Sequence, residues 1–482
     1  MTGLLGAAPH HDCEVLIVGS GAGGATTAAL LAEAGCDVLV VEEGSWVEQG
    51  EVVPFSLAQM DRQYRAGGVT VALGRPSIAY TEGCCAGGGT EINSGLYRRP
   101  SEETLERWRQ LTSIADFDDT EFFATCDEIE RALSVQTVPG RYSAASTKLR
   151  DGAEALGWRH DEIPRWMTYP HGDDASAGER QSMTRTFLPR ALAAGARMLV
   201  EHRVDRLIRD RGRAFRAELT DPDGGPCTID FERVVVCAGA IQTPALLQRS
   251  GFRGLVGRGL AVHPTVKLAA RFTDAVNVVD DVPVHQVKEF SPDLSFGGSA
   301  SQPGLVALAL SDHWPVMRDA VTSWREIAVY YAAITSEGRG RVVALPGLHD
   351  PLVTYRLTSR DRAVLGQGLA RLALVMLAAG AAEVYPSFRG APIVRSRADL
   401  AEVTGSFAAT AASVMTVHLC STVPMGEDRA HAAADSFGRV HGSDNVYVND
   451  ASLLPDAPGV NPQASVMAIA ARNARRLAET RR

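Results

Sequence analysis

Long apolar runs are missing from this sequence of 482 residues. No window approaches the roughly 18 uninterrupted apolar residues that cross a bilayer, so no membrane span is expected. The N-terminal stretch MTGLLGAAPHHDCEVLIVG lacks a basic segment leading into a long apolar one. A signal peptide is therefore not expected, and the location read from it is cytoplasmic. Eight cysteines are few for this length, and none stands in a CxxC pair or with a histidine at zinc-like spacing. Neither a disulfide framework nor a metal site is expected, and the thiols read as buried groups in a reducing compartment. Adjacent Cys84 and Cys85 could close only a strained vicinal ring, which is not expected either. Basic residues are outnumbered, 48 against 57 acidic ones, leaving a formal net charge of -9. That balance argues against nucleic acid or an anionic membrane as partner and leaves small molecules. Internal repeats and low-complexity segments are also missing.

What is present is ordinary globular material, 45% hydrophobic and 22% charged, in a chain longer than a single core usually grows. Two domains are expected. From Glu14 to Gly44, EVLIVG reads as a buried strand, GSGAGG as a turn, ATTAALLAEAG as a helix and DVLVVEEG as a second strand. Gly19-x-Gly21-x-x-Gly24 thus lies between strand and helix. That context calls for a tight turn at Gly19, close approach of backbone to a pyrophosphate at Gly21 and close helix–strand packing at Gly24. Glu42 ends the second strand about twenty residues on, where a carboxylate accepts hydrogen bonds from ribose hydroxyls. Dinucleotide binding follows, while the choice between FAD and NAD stays open at this point.

Farther along, residues 101–135 are charged and helix-prone, and residues 140–180 have little periodicity, so the pair reads as a helical cap and connection. A new α/β segment starts near Thr186 and ends in the apolar strand RVVVCAG. Strand patterns VKLAARF, IAVYYAAIT and RVVALP then precede a long periodic helix, RAVLGQGLARLALVMLAAGA. This order suits an antiparallel sheet backed by helices. A short strand, NVYVND, and a helix, SVMAIAARNARRLAE, follow near the C-terminus.

A second glycine cluster, Gly83-Cys-Cys-Ala-Gly87-Gly88-Gly89-Thr90-Glu-Ile-Asn93, is too distant to belong to the first unit. It resembles the GxxxGG(S/G)(S/T)xxN segment of the glucose-methanol-choline (GMC) oxidoreductases. VVVCAGAIQTPALLQRSG, from Val234 to Gly251, is similar to that family's second signature. The stretch from His418 to Gly426 resembles its HPxGTxxMG segment, and Asp450 and Asn461-Pro462 match its ending. The resemblance implies an α/β (α+β overall) fold with a Rossmann-like FAD-binding domain from residues 11–100, 181–265 and 405–482. Residues 101–180 would form the cap, and residues 266–404 a substrate-binding domain on a six-stranded antiparallel sheet. It also implies FAD contacts from Gly87, Gly88, Thr90 and Asn93, from the backbone of Val204 at the adenine, and from Asp450 and Pro462.

By the same resemblance His418 is the catalytic histidine, accepting the alcohol proton or stabilising the alkoxide while hydride passes to flavin N5. An imidazole, with an unperturbed pKa of about 6.5, suits that work near neutral pH. Asn461 would donate its amide to the substrate oxygen. His263, in GLAVHP, reads as structural, since nothing in the sequence places it at the reactive edge. His285 is a weaker candidate for the substrate pocket. Ser421 stands where the family usually has Gly and Leu419 where Pro is common, so the backbone beside His418 departs from the pattern. Ile92 occupies the position from which some members attach FAD through a histidine, so FAD should be non-covalent. The expected function is oxidation of a CH–OH group to an aldehyde or ketone, with O2 or another oxidant as acceptor, on a sugar-like or secondary-metabolite alcohol. Sterol or aliphatic alcohols, and a non-redox cyanohydrin-type lyase reaction, stay as alternatives.

Overall fold

The computed structural model describes residues 3–6, 8–170, 178–278 and 283–480, so residues 171–177 of the expected connection lie outside it. Val15 to Val18 are all buried, because strand β1 (His10–Val18) has parallel neighbours on both sides, β2 (Val38–Val41) and β3 (Pro226–Val236). Helix α1 (Ala22–Glu33) links β1 to β2. Arg197–Leu199 extends the sheet beside β2, and Arg203–Asp210 and Arg213–Thr220 extend it beyond β3. Val446–Val448 joins in parallel to β3. Chain segments more than four hundred residues apart thereby pair with the same strand, β3. Gly19 follows β1, Gly239 follows β3 and Asp450 follows Val446–Val448, which is the carboxyl edge where open α/β sheets bind ligands.

A second sheet has nine strands and is mixed, in place of the six antiparallel ones expected. Its centre is antiparallel, from β4 (Thr265–Arg271) and β5 (His285–Val287) to β6 (Leu294–Gly298) and β7 (Ile327–Ile334). Thr70–Ala72, Ile78–Tyr80, His160–Glu162 and Met415–Thr416 add to its edges, the last running parallel to Ile78–Tyr80. These edge strands come from outside the 266–404 segment, and pieces of two or three residues are too short to show a readable period.

One face of this sheet, including Leu268, Phe296, Tyr330 and Ala332, packs on helix α2 (Ser359–Ala378) through Leu365, Leu369, Leu372 and Met376. Thr358 and Asp361 close the start of α2 with a reciprocal capping box. The expected cap is divided between cores. Trp108, Phe122 and Ile129 join the first sheet's core, whereas Leu149 and Ala153 join the second's. Among the described residues no helix is long and apolar enough to cross a membrane, and the eight cysteines are free thiols.

Candidate active site

A cavity of about 570 Å³ is walled by residues of both sheets. At its dinucleotide end the three glycines of the first motif do different things. Gly19 has φ +97°, and a Cβ there would lie 2.4 Å from the Cys237 carbonyl oxygen. Gly24 is off the cavity wall, and a Cβ there would come within 2.0 Å of the Gly19 carbonyl oxygen, so it is glycine for helix–strand packing. Gly21 lines the cavity, and a Cβ on it would meet nothing within 4 Å. It is also the N-cap of α1, with no side chain capping the helix. Free N–H groups thus point at open space, an arrangement that receives phosphate. Gly239, likewise on the wall, has open space above it.

Glu42 lies on the wall with its carboxylate accepting hydrogen bonds from Ser20 N–H (3.0 Å), Ser20 Oγ–H (2.7 Å) and Gly44 N–H (2.9 Å). A carboxylate has room for about one more bond, which suits a ribose hydroxyl. Asp450 accepts from the N–H groups of Gly239 and Ser452, each at 2.8 Å, and from Thr243 Oγ–H at 2.5 Å. Burial pushes both carboxyls up, and these donors oppose the shift.

In the second cluster, Gly88, Thr90 and Asn93 line the cavity. Gly87 does not; its N–H is given to Ser20 Oγ at 3.0 Å. Asn93 donates to Gln463 Oε1 at 3.0 Å, tying the cluster to the C-terminal helix Gln463–Glu479. Val204 and Pro462 also lie on the wall. An uncapped helix end, bare glycine surface and a part-used carboxylate together fit a bound dinucleotide.

Strand pairing assembles the histidines. Val262 pairs with Leu419, so the next residue of one strand, His263, meets the preceding residue of the other, His418. The two Nδ1 atoms are 2.8 Å apart. Gly459 N–H donates to His263 Nε2 at 3.0 Å, and a backbone amide can only donate. His263 therefore carries its proton on Nδ1 and gives it to His418 Nδ1. In the neutral ring His418 therefore holds its own hydrogen on Nε2. Asn461 Nδ2 lies 3.4 Å from that Nε2, and an amide flip would present Oδ1 instead. Burial, then the charge of Lys288, lowers His418 to about 4, so the ring is neutral near pH 7.

The structural role expected for His263 is thus exercised on His418 itself. His285 is not on the wall. It lies on the opposite sheet face, its Nδ1 hydrogen-bonded to Ser146 Oγ at 2.8 Å. Strand alternation puts Gln286 and Lys288 on the cavity side instead. These two, with Lys267 and Tyr331, are wall residues that sequence reasoning missed. The available signal was a lysine inside the apolar strand TVKLAAR.

The GMC oxidoreductase family pattern matches residues 60–265 and again residues 337–470. The chain belongs to the GMC oxidoreductase family. An FAD binding domain pattern matches residues 12–50 of this GMC oxidoreductase, and its cofactor is FAD. It is 39% identical over 472 residues to an uncharacterized GMC-type oxidoreductase of Sinorhizobium fredii, covering 96% of this chain and 94% of the relative. A long-chain-alcohol oxidase of Arabidopsis thaliana is 25% identical over 503 residues, 95% of this chain and 66% of the relative. The crystal structure of pyridoxine 4-oxidase from Mesorbium loti superposes with a TM-score of 0.72 at 19% identity, covering 96% and 99% of the two chains. That likeness shows the fold.

Proposed function

We propose that this GMC oxidoreductase oxidises the CH–OH group of a small polar alcohol, sugar-like or a secondary metabolite, to an aldehyde or ketone. The observation that carries the reading is the His418–Asn461 pair, held by His263 at the junction of the glycine cradle and the second sheet. FAD, when bound, supplies the hydride acceptor. His418 Nε2–H donates to the substrate oxygen and stabilises the negative charge that grows there, Asn461 orients the same oxygen, and the hydroxyl proton is released to solvent. The alcohol-oxidase name of the Arabidopsis relative supports the reaction class. Ile92, 8% exposed on the wall, offers no atom for a covalent flavin link, so FAD is held non-covalently, and O2 or another oxidant takes the electrons.

The test is an anaerobic visible spectrum of the purified protein during additions of polyols, aminosugars, sterols and long-chain alcohols. Bleaching of the oxidised flavin bands by a polar alcohol is the expected result. Bleaching by long-chain alcohols alone would overturn the polar reading. A flavin that no alcohol reduces would leave proton chemistry of the lyase kind.

A further inference from the structure

Among the described residues, the second sheet puts two ammonium groups on the cavity wall and no carboxylate. Lys267 on β4 sits opposite Tyr331 on β7, and Lys288 lies just past β5 on the same face as Gln286. Lys288 is 8% exposed. Neither ammonium makes a hydrogen bond or ion pair among the described residues. The wall carboxylates belong to the cofactor half, where Glu42 and Asp450 hold backbone N–H groups and Glu43 and Glu82 face Arg65. Asp161 acts on Lys288 but is ion-paired to Arg98 at 2.9 Å.

Burial is the first cause lowering Lys288, to about 7, and the sole cause lowering Lys267, to about 8, and among the described residues Asp161 is the one opposite charge acting on either. Beside Lys267, the Tyr331 hydroxyl accepts a hydrogen bond from Gln286 Nε2 at 3.0 Å, so its own proton is left to donate. Uncompensated buried ammonium groups cost stability, and such groups in a cleft mark a place where an occupant supplies the opposite charge.

We infer that the substrate carries an oxyanion, a carboxylate, phosphate or sulfate, drawn to the wall that carries Lys267, Lys288 and the Tyr331 hydroxyl while its alcohol carbon lies at His418. This rests on the alcohol-oxidation reading and narrows its substrate to acidic alcohols.

The test uses the FAD-loaded enzyme under anaerobic conditions and follows flavin reduction by three matched series. These are hydroxycarboxylates of graded length, their neutral amides and the corresponding amino alcohols, with hydroxyalkyl phosphates and sulfates as separate arms. One anionic series should reduce the flavin more efficiently than its neutral match by on the order of 30- to 100-fold, the size of a hydrogen bond to a charged group. Lys288→Met and Lys267→Met, checked for FAD content, should each collapse that acid-to-amide ratio towards one. If amides or amino alcohols match the acids, the inference falls and alcohol oxidation stands. If no series reduces the flavin, the alcohol reading falls, and oxyanion binding is judged by glutarate and inorganic phosphate. A shift of the flavin bands or Tm that both variants lose keeps the oxyanion site, and an equal shift in wild type and variants removes it.

Discussion

The cofactor half of the cavity turns mostly on exposed backbone, with Glu42 as a side-chain contact, whereas the substrate half is made of side chains. On the first, Gly21 and Gly239 expose main chain to open space beside the uncapped end of α1. On the second, Lys267, Gln286 and Tyr331 stand on alternate positions of strands that meet only through pairing. A surface that uses main chain needs glycines close together, so it leaves a contiguous mark in the sequence. A surface of alternating side chains leaves single letters scattered over many strands.

Two glycines of one motif give the largest expected effect and the sharpest way to break this comparison. Gly21→Val should abolish FAD loading while the apoprotein keeps its Tm, because the new side chain enters open space. Gly24→Ala should fail for the opposite reason. Its Cβ would sit 2.0 Å from the Gly19 carbonyl oxygen, so the apoprotein itself should be destabilised. Loss of Tm in Gly21→Val, or full FAD content in it, would end the assignment of that wall to backbone recognition.

The same contrast explains what could be read beforehand. The β1–α1–β2 unit and the long helix α2 were legible because each has a sustained period and a marked end. Gly19, Gly21, Glu42 and Asp450 were legible as members of motifs that converge on one sheet edge. The role of His263 was hidden because it depends on the pairing of Val262 with Leu419, and pairing register is not written locally. Lys267 and Lys288 were hidden because one charged letter in a strand has no meaning until the buried face is known. His285 was misplaced by a single position, which in a strand reverses the face.

At the junction of the halves, His418→Ala should lower turnover by about 10²- to 10⁴-fold, the usual worth of acid–base and oxyanion help, with FAD content unchanged. Stopped-flow reduction of the flavin measures it. Unaltered reduction would detach His418 from the chemistry and leave its contact with His263 as packing.

On the substrate half the expected signature is pH. Lys288 and Lys267 are charged below about 7 and about 8 respectively, with Arg98 and Asp161 acting on the first and no charge on the second. For an anionic alcohol, kcat/KM should therefore fall as pH rises through this window, while a neutral amide shows no such fall. His418, lowered to about 4, adds no inflection there. Stability runs the other way. Both lysines bind protons more weakly folded than unfolded, so stability rises between about pH 7 and the ordinary lysine value near 10.4. Lys288→Met should raise Tm at pH 6 and flatten that rise.

The smallest effect is expected off the cavity wall, at the turn that follows His418. Ser421 keeps a side chain at φ +69°, a left-handed position that favours glycine, and its Oγ is buried without a hydrogen-bond partner. Its N–H is fixed to the Ala451 carbonyl at 3.1 Å, so the turn cannot relax without moving the segment that leads from His418. Ser421→Gly removes both the strained Cβ and the unsatisfied hydroxyl, against the greater chain entropy of glycine when unfolded. The balance should favour the folded state by about 1 kcal/mol, read as a rise in the urea midpoint at constant slope. A fall in that midpoint would show that the hydroxyl has a hydrogen-bond partner in the folded protein.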